Sequence, residues 1–378
     1  MRGSGGLHLS TFKEKFKNVQ AVIVDEVSMV GARILSQIHQ RLNQAMGTPD
    51  GLFGNIAIIL LGDFLQLRPV RAKNIFNKDS TELHHGTDRV HLYRSLFKPV
   101  FLTVSQRQKG DQAFSHLLLR AREGLLTDED DIALNLRSLN ETNPDRSHIK
   151  TLLETDFNKA TWLYPHKKAV SDHNSKELQK LSLLTETPIV KFRAVDEGKI
   201  TIPDDAEVDN TGGLPSEVSL VKGASIMLRH NIDVEDGLYN GAQGTIAALG
   251  EAAGSILVPI FVHFEDVRIG TRAERREIDG KIAVRIDPKT AQFDFHGRQV
   301  KRTQLPVILS FAMTIHKSQG LTLNKVVADC GEHVFESGMA YTAASRVRKM
   351  KDLIFLEYSP LAFRANDDAL EELDRLRN

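Results

Sequence analysis

Cysteine is nearly absent from this sequence: Cys330 stands alone among 378 residues. A single thiol excludes an internal disulfide and a multi-cysteine zinc site, and it fits a reducing compartment. Cys330 closes the apolar run KVVADC and is expected to be a small buried residue. Neither charge sign is in excess, since Lys plus Arg and Asp plus Glu each number 49. Net charge is therefore silent about nucleic acid, and any basic surface has to be local. No apolar run approaches the roughly 20 residues of a membrane span, so no membrane partner is expected. The start MRGSGGLHLSTFKEKFKN has no apolar signal core, and its first six residues read as a flexible leader. Internal repeats and low-complexity segments are missing too.

What remains is an ordinary globular composition, 41% apolar and 26% charged, long enough for two or three domains. The first hundred residues read as α/β. A strand at 21–24 precedes a helix over about 31–46, with Ile34, Leu35, Ile38 and Leu42 at helical spacing. IAIILLGDF is an unbroken apolar run, the pattern of a parallel strand buried on both faces. An amphipathic stretch runs from Leu102 to Gly124, and ATWLYP starts a strand of a further α/β segment. From about 190 to 302 short β-prone runs (SIML, GTIAAL, ILVPIFVHF, KIAVRI) alternate with turn residues, the signature of a small antiparallel barrel. Helical and parallel-strand patterns return in VILSFAMTIHKSQG, KVVADC and DLIFLEY, and DDALEELDRL reads as a closing helix.

Chemistry is concentrated in four places. AVIVDE ends a strand with Asp25 and Glu26, at the strand end where open α/β sheets bind ligands. In a nucleoside triphosphatase Asp25 would hold Mg²⁺, and Glu26 would orient and deprotonate a water. The plainer alternative is an acidic strand end that caps the next helix. LLGDFLQLRPV adds a second strand followed by an acid and by Gln66, whose amide accepts and donates at once. Arg107 in SQRQ and Arg346 in AYTAASRVRK suit the charge on a transferring phosphoryl group only as part of a set, since each alone reads more readily as a surface residue. FAMTIHKSQGLTL clusters Thr314, His316, Lys317 and Ser318 in a turn, and Gly320 allows close backbone approach, which suits a sugar–phosphate backbone.

The chain resembles the PIF-type DNA helicases, relatives of the RecD-like branch of superfamily one. DEVSMV, GDFLQLRPV, LTVSQRQ, TIHKSQGLTL and YTAASRVRK fall in the family's motif order. GLPSEVSLVKGASIMLRHNIDVEDGLYNGAQGTI resembles its lead into a small inserted domain. The resemblance implies RecA-like parallel-sheet domains, the first incomplete, with an inserted SH3-like β-barrel. The expected plan is 1–101 for part of the first RecA-like domain, 102–220 and 305–378 for the second, and 221–304 for the barrel. Asp25 carries over as the magnesium ligand, Glu26 as the catalytic base and Gln66 as the γ-phosphate sensor. Arg107 and Arg346 carry over as the arginines from the second domain, and Gln319 and Gly320 as the ATP-facing end of their motif. Thr314, His316 and Lys317 carry over as DNA contacts. Implied cofactors are ATP and Mg²⁺, and implied partners are single-stranded DNA and single-strand/duplex junctions. A monomer is expected, nuclear with mitochondria as the second compartment, moving 5′ to 3′ in repair, recombination and telomere upkeep. Between Arg268 and Arg302 ten basic residues face five acidic ones, a surplus suited to tracking phosphates or simply a solvated barrel face.

Two departures stand out. Arg68 occupies a position where the family usually has proline. No G-x-x-x-x-G-K-[ST] occurs in the 378 residues, and the family places that phosphate loop before DEVSMV. The sequence therefore reads as an N-terminally incomplete helicase, inactive alone. One alternative is a helicase-derived single-stranded DNA-binding module, of cellular or transposon origin. A phosphatase-like or signalling NTPase would leave TIHKSQG and the barrel without a purpose.

Overall fold

A computed structural model describes residues 12–77, 82–85, 88–198, 201–203, 206–250 and 257–378. The expected leader at 1–6 lies outside them. Two compact units divide the chain: residues up to Asn158 together with Thr314–Asn378, and Lys159–Met313. The protein is α/β. Among the described residues no helix is long and apolar enough to cross a membrane.

In the first unit the β-prone AVIV forms a strand at Ala21–Val24, paired in parallel with Ala57–Leu60 in the register Ala21↔Ala57 to Val24↔Leu60. The helix Ala32–Met46 between them is closed by Gly47, whose φ of 69° suits glycine. It buries Leu35, His39 and Leu42, whereas Ile34 is exposed, so the buried stripe is narrower than its apolar spacing. The expectation of a fully buried strand at 57–61 is corrected. Ile23, Ile59 and Leu61 are 62%, 46% and 43% exposed, because this sheet has two strands and only one covered face among the described residues. The covered face packs on Leu35, Leu42, Phe53, Leu65, Phe76 and Leu92.

The expected amphipathic stretch at 102–124 is helical only over Gln112–Glu123, capped by the Asp111 side chain on the Phe114 N–H and ended by Gly124. Leu102 and Val104 ahead of it are exposed. Val326–Cys330 and Leu353–Tyr358 form a second parallel pair, with Cys330 buried as expected. The closing helix is Asp367–Arg377, capped by Asn366.

The second unit begins with the strand Thr161–Tyr164 and the helix Lys167–Leu184 and is otherwise strand-rich. Six antiparallel strands run in the order 275–278, 281–286, 260–264, 243–249, 225–228, 307–309. A three-stranded sheet joins 289–295, 298–304 and 195–197. Its core mixes Ile226, Ile246, Val262 and Val284 with Leu178, Phe192, Leu305 and Val307, which lie outside 221–304. The basic surplus between 268 and 302 is largely matched by acids beyond that window. Arg268 pairs with Asp266, Arg272 with Asp233 and Glu235, and Arg302, 1% exposed, with Asp196. Arg275 donates instead to the carbonyls of Val267, Ile269 and Gly270.

Candidate nucleotide and DNA site

Every candidate site residue lies in the first unit. Asp25 is exposed at its strand end, and its Oδ1 accepts from the Glu26 N–H at 2.8 Å. Glu26 sits at φ 50°, ψ 48°, a left-handed conformation that a residue with a Cβ adopts only when its surroundings hold it there. The holding groups come from the far end of the chain. Gln319 Nε2 donates to Glu26 Oε2 at 2.7 Å and to Ser28 Oγ at 3.0 Å. Gly320, at φ 78°, backs Glu26 so closely that a Cβ there would lie 3.2 Å from Oε1. The motif TIHKSQG thus grips the acid of DEVSMV.

Its first half faces elsewhere. Thr314 caps the short helix Ile315–Ser318, its hydroxyl accepting from the Lys317 N–H at 3.4 Å. Lys317 is exposed. His316 Nε2 meets Glu336 Oε2 at 3.2 Å, and its ring stacks on Phe335, which is 53% exposed. Glu336 also accepts from Arg68 Nε at 2.8 Å. Burial pushes the Glu336 carboxyl up, but His316 and Arg68 outweigh it and hold it below the usual range. Arg68, where a proline was expected, is therefore tied to His316 through one shared carboxylate.

Gln66 is half-buried, and its Oε1 finds no hydrogen-bond partner among the described residues. Arg107 donates through Nε to Thr322 Oγ1 at 2.9 Å and through a terminal nitrogen to Ser345 O at 3.0 Å. Burial lowers its pKa, while Tyr341 and Glu26 act in the opposite direction. Arg346 is 1% exposed and donates to Thr342 O at 2.7 Å and Ser345 Oγ at 2.6 Å. Longer contacts reach Ser318 O and Leu321 O. Burial, then the charge of Arg107, holds its pKa down at about 10. Arg346 thus buttresses the turn that carries Gln319 and Gly320, while Arg107 and Arg346 meet at Ser345.

Three residues escaped sequence reasoning. Arg122 clasps Asp63 with two hydrogen bonds of 2.8 and 2.7 Å, joining GDF to the Gln112–Glu123 helix. Tyr341 adds a 3.4 Å contact to the same carboxylate. Glu336 links Arg68 to His316. The acid at 63 was visible in the strand-end pattern, but its basic partner, 59 positions away, had no local signal.

Parallel strands carrying acids at their carboxyl ends, with amides and arginines gathered around one of them, define an α/β protein built to place a ligand there. A family model described as PIF1-like helicase matches residues 8–132. An ATP-dependent DNA helicase PIF1 of Xenopus laevis is 31% identical over 360 residues, 95% of this chain and 50% of that protein. The crystal structure of Pif1 helicase from Candida albicans aligns with a TM-score of 0.72 at 23% identity, covering 100% of this chain and 82% of that one. Pif1 helicase from Bacteroides in complex with ADP-AlF3 and ssDNA gives 0.67 at 23% identity, covering 96% and 76%. The chain is similar to PIF1-like helicases over nearly its whole length. It spans about half the length of the curated relatives it matches.

Proposed function

We propose that this chain carries the motor machinery of an ATP-dependent 5′-to-3′ DNA helicase, coupling nucleotide hydrolysis to movement on single-stranded DNA. The observation that supports it best is the grip of Gln319 and Gly320 on Glu26. One short helix presents His316 and Lys317 at its surface and ends in the residues that hold the acid. A strand contacting Thr314, His316 and Lys317 would shift that helix, and with it the carboxylate that takes a proton from water. Buried, unpaired oxygens on Gln66 and Gln319 fit a site completed by a polar ligand. Asp25 would hold Mg²⁺, and bound Mg²⁺ would neutralise charge on the transferring phosphoryl group. Gln66 would orient the water, and Arg107 and Arg346 would supply positive charge beside Glu26. The relative bound to ADP-AlF3 and ssDNA supports ATP and single-stranded DNA as ligands here. Junction binding, a monomeric state, nuclear residence with mitochondria second, and roles in repair, recombination and telomere upkeep belong to the same proposal.

The 378 residues contain no G-x-x-x-x-G-K-[ST], the pattern whose backbone N–H groups and lysine hold β- and γ-phosphates in phosphate-loop proteins. That observation favours a second reading, a single-stranded DNA-binding module without turnover. Phosphate release with and without oligonucleotide separates the two. Alone, the chain should hydrolyse ATP at background. Fused behind a phosphate-loop segment, it should show DNA-stimulated hydrolysis that Glu26→Gln abolishes while ATP binding persists. A fusion that binds ATP and DNA but stays at background would favour the module. Robust Glu26-dependent turnover by the unfused chain would overturn the account of the missing cradle.

A further inference from the structure

We propose that Asp329, His333 and Glu357 form a site for a divalent transition-metal ion of the zinc class, remote in sequence from the acids discussed above. Asp329 and Glu357 are the next-to-last residues of the two adjacent parallel strands Val326–Cys330 and Leu353–Tyr358. The register runs Ala328↔Phe355 and then Asp329↔Glu357, so one extra residue, Leu356, is inserted on the second strand. Without that bulge Asp329 would face an apolar leucine. With it two carboxylates stand directly opposite, an arrangement that destabilises a sheet unless a cation lies between them. His333, in the turn that follows, supplies Nδ1 at 3.6 Å from Asp329 Oδ2 and 3.5 Å from Glu357 Oε2. All three donor atoms lie within 4.8 Å of one another.

The nitrogen donor and the two histidine–carboxylate distances point to zinc rather than Mg²⁺. Zinc bonds of about 2.0–2.2 Å to nitrogen and oxygen place tetrahedral ligands about 3.3–3.6 Å apart. Octahedral Mg²⁺ wants ligands nearer about 3 Å apart, all of them oxygen. The surroundings are shaped to the cluster. Asp329 is 7% exposed, and its Oδ1 accepts from the Gly331 N–H at 3.3 Å, leaving Oδ2 toward His333. Gly331 admits the Glu357 carboxylate, since a Cβ there would lie 2.5 Å from Oε2. Cys330, the next residue along the strand, faces the opposite side of the sheet and is buried, so it is not among the ligands. Three protein ligands leave a fourth tetrahedral position to water.

The test uses the whole chain, freed of metal by chelator and titrated with Co²⁺ and then Zn²⁺. One equivalent of Co²⁺ should give the visible absorption of a tetrahedral site, and Zn²⁺ should displace it and raise the thermal midpoint. His333→Ala and Glu357→Gln, at residues more than half exposed, should leave the fold intact and weaken Co²⁺ binding on the order of 100-fold or more, beyond the loss from removing a mere orienting partner. His148→Ala, at an exposed histidine elsewhere, should change nothing. No visible absorption in the wild type, or equal Co²⁺ affinity in wild type and His333→Ala, would overturn the site.

Discussion

Replacing Gly320 with alanine perturbs the site at its tightest joint, and the cost divides into two parts. The first is conformational: at φ 78° an added Cβ costs about 1–2 kcal/mol. The second is contact. The Cβ would lie 3.2 Å from Glu26 Oε1, and Glu26 has little freedom to retreat. Its backbone is already left-handed, and its other oxygen is held by Gln319 at 2.7 Å. A charge-assisted hydrogen bond is worth about 1.5–3 kcal/mol, so straining it should add about 1 kcal/mol. Gly47→Ala supplies the control within the same unit. Its φ is 69°, and a Cβ there meets nothing within 4 Å, so it bears the conformational part alone. Urea unfolding followed by far-ultraviolet circular dichroism should place Gly320→Ala about 1 kcal/mol below Gly47→Ala. With slopes of about 1–3 kcal/mol per molar urea, that is a midpoint difference of about 0.3–1 M. Introducing Glu26→Ala should erase the difference, because the contact atom is gone. Equal costs for the two alanines beside an intact Glu26, or a difference that survives Glu26→Ala, would refute the grip on the acid.

Lys317→Ala should weaken binding of single-stranded oligonucleotides without unfolding the protein, and should flatten the salt dependence by about one counterion. Fluorescence anisotropy at several salt concentrations checks this, and equal affinity for wild type and variant would remove Lys317 from the surface. Glu336 predicts a pH effect. Its folded carboxyl is held below the usual range by His316 and Arg68, so its stabilisation is present above the unfolded value of about 4.3 and is lost as pH falls through the folded value. Glu336→Gln should therefore show less acid destabilisation below about pH 4.3 than the wild type, and parallel stability–pH curves would count against the pairing. Arg122→Met breaks a bidentate pair whose side chains are only 18% and 16% exposed, and should cost about 2–3 kcal/mol, below the figure for a fully buried pair. Arg122→Lys should recover only part of that in the same denaturation assay.

Local pattern carried the strands well, because AVIV, SIML and KIAVRI are β-prone and bounded by turn residues. It misjudged exposure at Ile59 and Leu61, since a continuous apolar run says what a strand could bury but not what covers it. Counting charges over 268–302 could not show what neutralises them for a related reason: the partners of Arg272 and Arg302 lie at 233, 235 and 196. The meeting of Glu26 with Gln319 was approached only through motif order, because 293 positions separate them and no periodicity spans such a gap. The Arg68–Glu336–His316 chain had no signal at all, as Glu336 sits in a turn outside every motif.

The bare face of the Ala21–Val24 and Ala57–Leu60 pair has a practical consequence at the bench. Ile23, Ile59 and Leu61 give water a contiguous apolar strip on a sheet whose outer strand edges are unpaired among the described residues. Such a strip should take up a hydrophobic dye in the folded state and favour self-association as concentration rises. Low protein concentration, or a mild non-ionic detergent below its micellar threshold, should keep the chain dispersed where salt alone would drive it out of solution.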